Sequence, residues 1–146
     1  MNTILTPSFI QEMANDLRQY LGLCDEILNL TVQENQALGG HLDYQPETFQ
    51  QQRRKILPDL EQMLSRLRSR RVIWQQCPRS ERERCEEINP LFQQIQDQLM
   101  KVLLLDRENQ QIMLRRGMVP AAHLPSPAPR PNYLASIYQR HATAMS

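Results

Sequence analysis

Apolar residues recur along most of this chain at intervals that alternate between three and four. The first run passes through Ile10, Met13, Leu17, Tyr20, Cys24 and Ile27 to Leu38. That spacing places them on one side of an α-helix. Thr6-Pro7 predicts its start, with Thr6 capping and Pro7 in the first turn, and Leu5 and Ile10 stapling across the cap. Gly39-Gly40 predicts its end. About 30 residues at 1.5 Å each give a helix on the order of 45 Å long.

A second run begins near Pro46-Glu47 and carries Phe49, Arg53, Ile56, Leu60, Met63, Leu67 and Trp74 on its stripe. Pro58 falls inside it and predicts a kink, or else two separate helices, because proline removes one helical hydrogen bond and crowds the preceding turn. Cys77-Pro78 closes the segment. The third run has Cys85, Ile88, Phe92, Ile95, Leu99, Val102, Asp106, Asn109 and Met113 in line. Ser80 with Glu83 three residues on reads as a capping box. Asn89-Pro90 is either a kink or a fresh helix start. Gly117 predicts the stop, with Arg115 and Arg116 suited to the helix dipole in the last turn.

Three helices of similar length joined by short loops predict an all-α, antiparallel up-down-up bundle with a coiled-coil-like twist over residues 6–117. The pattern then changes. Pro120, Pro125, Pro127, Pro129 and Pro131 make 118–131 a semi-rigid extended spacer. Asn132 can cap a short amphipathic helix over 132–142, with Tyr133, Leu134, Ile137 and Tyr138 on one side. A helix of about ten residues is marginal alone in water. This one either folds back on the bundle or docks on a partner. The two are compatible if a partner displaces it.

The third helix carries a surplus. Leu99, Val102, Leu103 and Met113 form its core stripe, yet Met100, Leu104 and Leu114 lie together off that stripe, on another face. One stripe satisfies a bundle. A second asks for another helix, another subunit or a client protein. The face taken as client-binding is Met100, Leu104 and Leu114, flanked by Ile112 and Met113. Methionine suits a surface that accepts more than one partner.

Polar residues interrupt the core stripes at one level: Thr31 and Glu34 on the first helix, Arg53 on the second, Asp106 and Asn109 on the third. A buried charged site is one reading. A polar layer that fixes register, with Arg53 between two carboxylates, is the plainer one.

Composition narrows the function classes. Aromatic residues make up 5% and there are four glycines, which favours long helices over sheet. The formal net charge of +1 steers the chain to neither nucleic acid nor membrane. Arg66, Arg68, Arg70 and Arg71 fan around their helix among acidic neighbours, as a solvated face does. No apolar run approaches the roughly 20 residues of a membrane span, and no signal-peptide pattern opens the chain. Three cysteines without a CxxC pair fit free thiols, so the cytoplasm is the expected compartment. A di-metal bundle needs Glu-x-x-His motifs, and none of the three histidines follows such a Glu. No phosphate loop or nucleophile context is present. The expectation is a non-enzyme without cofactor or metal.

On these residues the chain resembles the FlgN-type flagellar secretion chaperones over roughly 8–117. The likeness rests on Glu34 followed by Leu38, on Lys55, Leu60, Leu64 and Arg71, and on Leu103, Leu104, Asn109 and Ile112. The resemblance implies a helical bundle without enzymatic activity. It further implies partners among the hook–filament junction proteins, delivered in the cytoplasm to the gate, or the ATPase complex, of the flagellar type III export apparatus. The rival reading is a structural coiled-coil subunit, or a homodimer through the second stripe.

Overall fold

The structure, a computed structural model, describes residues 5–40 and 44–118. Among them are four helices and no strand: α1 (Pro7–Gly39), α2 (Pro46–Gln76), α3 (Arg79–Glu83) and α4 (Asn89–Arg115). The all-α class is as the periodicity predicts. The predicted spacer and tail helix, with Tyr133, Leu134, Ile137 and Tyr138, lie outside the described residues, apart from Met118.

α1 begins where its sequence says. The Thr6 hydroxyl accepts a hydrogen bond from the Phe9 N–H at 3.1 Å, with Pro7 in the first turn. α2 is a single helix with Pro58 inside it, so the alternative of two helices does not hold. Pro58 and Arg54, whose carbonyl loses its i+4 donor there, are both exposed, so the break in the helical ladder lies outside the core.

The third predicted helix is the one that changes. It is two helices, α3 and α4, separated by a turn over residues 84–88. Ser80 does not cap. The cap position is Pro78, with no side-chain hydrogen bond there. Asn89-Pro90 acts as the fresh start, because proline disfavours helical geometry in the residue before it but is tolerated in a first turn. The Asn89 amide donates to the carbonyls of Arg82 at 2.7 Å and Glu83 at 3.3 Å, which ties the end of α3 to the beginning of α4.

α1 packs along both α2 and α4. The cross-helix contacts give the directions. Arg70 meets Asp16 and Arg53 meets Glu34, so α2 runs antiparallel to α1. Gln98 meets Asp25, Asn109 meets Asn35, and Arg116 meets the Leu38 carbonyl, so α4 runs parallel to α1. Leu17, Tyr20, Ile88 and Ile95 are wholly excluded from solvent, and the core they anchor extends through Ile27, Leu60, Leu99 and Val102. Trp74 closes one end, edge-on to Phe92 at 5.8 Å between ring centroids. Cys24, Cys77 and Cys85 are free and buried. Burial first, and Asp25 second, push the Cys24 thiol up to about 12, so it packs as a small apolar group.

Candidate functional site

Two features stand apart from the apolar core: a polar layer inside it and an apolar face outside it. The structure brings the five residues of the layer together. The Arg53 guanidinium grips Glu34 with both terminal nitrogens, Nη2 to Oε1 at 2.6 Å and Nη1 to Oε2 at 3.2 Å. Its Nη2 stands 3.8 Å from Asp106 Oδ1. Asn109 donates to the Thr31 carbonyl at 3.1 Å and, at 3.5 Å, to Glu34 Oε1, while accepting from the Asn35 amide at 2.8 Å. Thr31 turns its hydroxyl back onto the Ile27 carbonyl at 2.8 Å. Periodicity did not single out Tyr44, which donates to Glu34 Oε2 at 2.5 Å from the connection before α2 and stacks on Phe49. It precedes any helical repeat, so no stripe could have included it.

Both Glu34 oxygens are engaged by donors, and the residue is 1% exposed. Its carboxylate therefore has no free lone pair directed at a substrate, as a general base requires. The Tyr44 hydroxyl is raised well above its ordinary value, by burial first and then by its bond to Glu34, which keeps it protonated as a donor. The polar layer links all three long helices at one height. An open groove of about 360 Å³ between α1 and α2, floored by Leu30 and Ile56 and edged by Glu26, Gln33 and Lys55, includes none of these residues. Among the described residues no group of three His, Cys, Asp or Glu could hold a metal ion. None of the described helices is long and apolar enough to cross a membrane.

Asp106 is the layer's partly exposed member. Burial raises its carboxyl above the ordinary 3.8. The Arg53 charge opposes that shift, and Glu34 adds to it. The folded protein then holds this proton more tightly than the unfolded chain. Stability contributed at this site is lost as pH rises from 3.8 through the raised value. Asp106→Asn, which cannot ionise, should gain on the wild type between pH 3.5 and pH 7. Urea unfolding at the two pH values measures this, and a difference that does not change with pH would show that Asp106 titrates normally.

The outer face of α4 is the second feature. Met100, Leu104 and Leu114 are 56%, 59% and 58% exposed. Ile112 is half-buried. Met113 is a correction: at 6% exposure it belongs to the interior. Fourteen positions separate it from Leu99, almost a whole number of helical turns, so the two share the core stripe and Met113 cannot also face a client. The structure adds Val72 and Ile73, 57% and 40% exposed near the end of α2. Their signal in the sequence is two apolar residues set off the line from Leu67 to Trp74. Of the arginines singled out on α2, Arg70 is held by Asp16 and Glu12, Arg66 and Arg68 are exposed, and Arg71 is half-buried.

Compared with family models, with curated proteins and with solved structures, the chain matches none.

Proposed function

We propose that the protein is a non-enzymatic, cytoplasmic export chaperone. On this reading the outer face of α4 takes an amphipathic segment of a flagellar hook–filament junction protein and delivers it to the type III export gate or its ATPase complex. The architecture that serves this is an up-down-up bundle of α1, α2 and α4, with α3 as the connecting turn.

The observation that carries the reading is the apolar face itself. Met100, Leu104 and Leu114 each keep more than half their surface in water on a helix whose other side is fully packed. Covering the area that remains exposed gains roughly 1–2 kcal/mol for each such side chain. The resemblance through Glu34, Lys55, Leu64, Leu104, Asn109 and Ile112 supplies the client class. The polar layer supplies a rigid support, since a helix held in register presents its outer face in one geometry.

The test is a pull-down from native cytoplasm with the full chain and with Leu104→Asp. Leu104 makes little of the core, so the variant should melt with the wild type. Affinity for the client should fall on the order of a hundredfold or more, since a charge replaces a covered leucine. Loss of one secreted flagellar protein identifies client and face together. An unaltered set of partners removes the face from consideration. A tight dimer at low concentration, broken by the same substitution, would assign the face to a second copy instead.

A further inference from the structure

We infer that the outer face of α4 is self-complementary, and that it pairs weakly and antiparallel with the same face of a second copy of this chain, about a two-fold axis at the level of Val102. The pairing uses the face that the proposed function gives to a client, but it depends on no client.

The order of residues on the face is the first ground. Exposed residues recur along it at alternating spacings of three and four, from Pro90 to Leu114. At about 100° per residue they all lie within about 60° of the direction opposite Val102. Val102 itself is 1% exposed and faces the interior. The exposed residues therefore form one outward seam, with the spacing by which two helices pack as a coiled coil. The seam reads as a palindrome. Met100 and Leu104 stand two residues either side of Val102, and Asp97 and Arg107 stand five. Gln93 and Gln111 stand nine residues either side of it, and Pro90 and Leu114 twelve. A two-fold axis at Val102 sets each of these residues against its counterpart on the second copy. Apolar then meets apolar, amide meets amide and acid meets base, each twice by symmetry.

Charge decides the direction. Two copies laid parallel would set Asp97 against Asp97 and Arg107 against Arg107. Laid antiparallel, both levels become acid–base contacts, and the wrong direction is penalised by repulsion. The Gln93 amide donates to Asp97 Oδ1 at 3.0 Å, which holds the carboxylate on the seam with acceptor capacity left for a guanidinium. Lys101 makes the one like-charge approach, since its two copies flank the axis. Its long stem lets the ammonium turn out to water.

Area sets the strength. The seam is about 36 Å long at 1.5 Å per residue, and a strip of helix about 10 Å wide over that length covers on the order of 350 Å² per copy. A stable interface buries roughly 800 Å² per partner. The pairing is therefore weak and reversible, and an occupant that covers the same residues more fully displaces it.

Sedimentation of the full chain from about 10 μM to about 1 mM brackets an interface of this strength. The wild type should pass reversibly from monomer to dimer. Asp97→Arg and Arg107→Asp each turn two acid–base contacts into two like-charge ones, and each should weaken the dimer about tenfold or more. Both positions are exposed, so the variants should melt close to the wild type. An equimolar mixture of the two variants restores acid against base at both levels and should pair as tightly as the wild type. A wild type that stays monomeric at the highest concentration, variants that dimerise as well as it does, or a mixture no tighter than its components would each overturn the inference. A mixture far tighter than the wild type would overturn it too, because only a parallel pair gains charge complementarity on mixing. Any of these leaves standing a client that Leu104→Asp loses. A dimer that behaves as expected, with no client lost, removes the proposed function alone.

Discussion

Arg53→Ala should destabilise the protein by about 3–5 kcal/mol, the largest effect expected of any single substitution. The reason is what stays behind. Glu34 is 1% exposed, and Arg53 supplies two of its donors and pairs with its charge. Without the guanidinium a carboxylate remains in a site that water barely reaches. Such a loss is a large share of the roughly 5–15 kcal/mol that holds a typical domain folded. Urea unfolding followed by circular dichroism measures it as a fall in midpoint at constant slope. The double replacement Glu34→Leu with Arg53→Met should recover most of the loss, because a buried pair exchanged for apolar groups of similar volume is often neutral. A fall under about 1 kcal/mol for Arg53→Ala would mean that water enters the layer and solvates Glu34, and the layer would then not set the register.

Leu17→Ala should cost about 2–5 kcal/mol, while the same change at Leu104 should stay within about 0.5 kcal/mol. The chemistry removed is identical. Leu17 is 0% exposed on α1, the helix that touches both of its long neighbours, so truncation opens a cavity bounded by both interfaces. Leu104 is 59% exposed, and its truncation opens none. Parallel thermal or urea melts of the two variants compare them directly. Equal losses would show that the outer face of α4 is already packed against something in the folded protein.

Much of this was legible from residue order. The threes and fours of α1 name its buried side almost residue by residue, from Met13 to Leu38, because a helix 33 residues long repeats its signal many times. Thr6-Pro7 marks its start for a local reason, a hydroxyl within reach of the Phe9 N–H. The second stripe of α4 was legible too. Met100 and Leu104 follow Leu99 and Leu103 by one residue each, and one residue is a turn of 100°.

Other features were not legible. Ser80 and Glu83 have the spacing of a capping box and do not act as one, because α3 begins at Arg79 and takes Ser80 into its first turn. Met113 read as belonging to either face, and only its 6% exposure decides for the interior. Tyr44 entered the polar layer from a connecting segment, where no periodicity applies.

Residue order by itself determined the helices, the sides they bury and the presence of one apolar side too many, since each of these follows from spacing within a single element. Tertiary structure decided which polar residues meet, where the third run breaks and which leucines remain in water. Those outcomes depend on the distances between elements. The grip of Arg53 on Glu34 across nineteen positions and the exposure of Leu104 exist only once α1, α2 and α4 lie side by side.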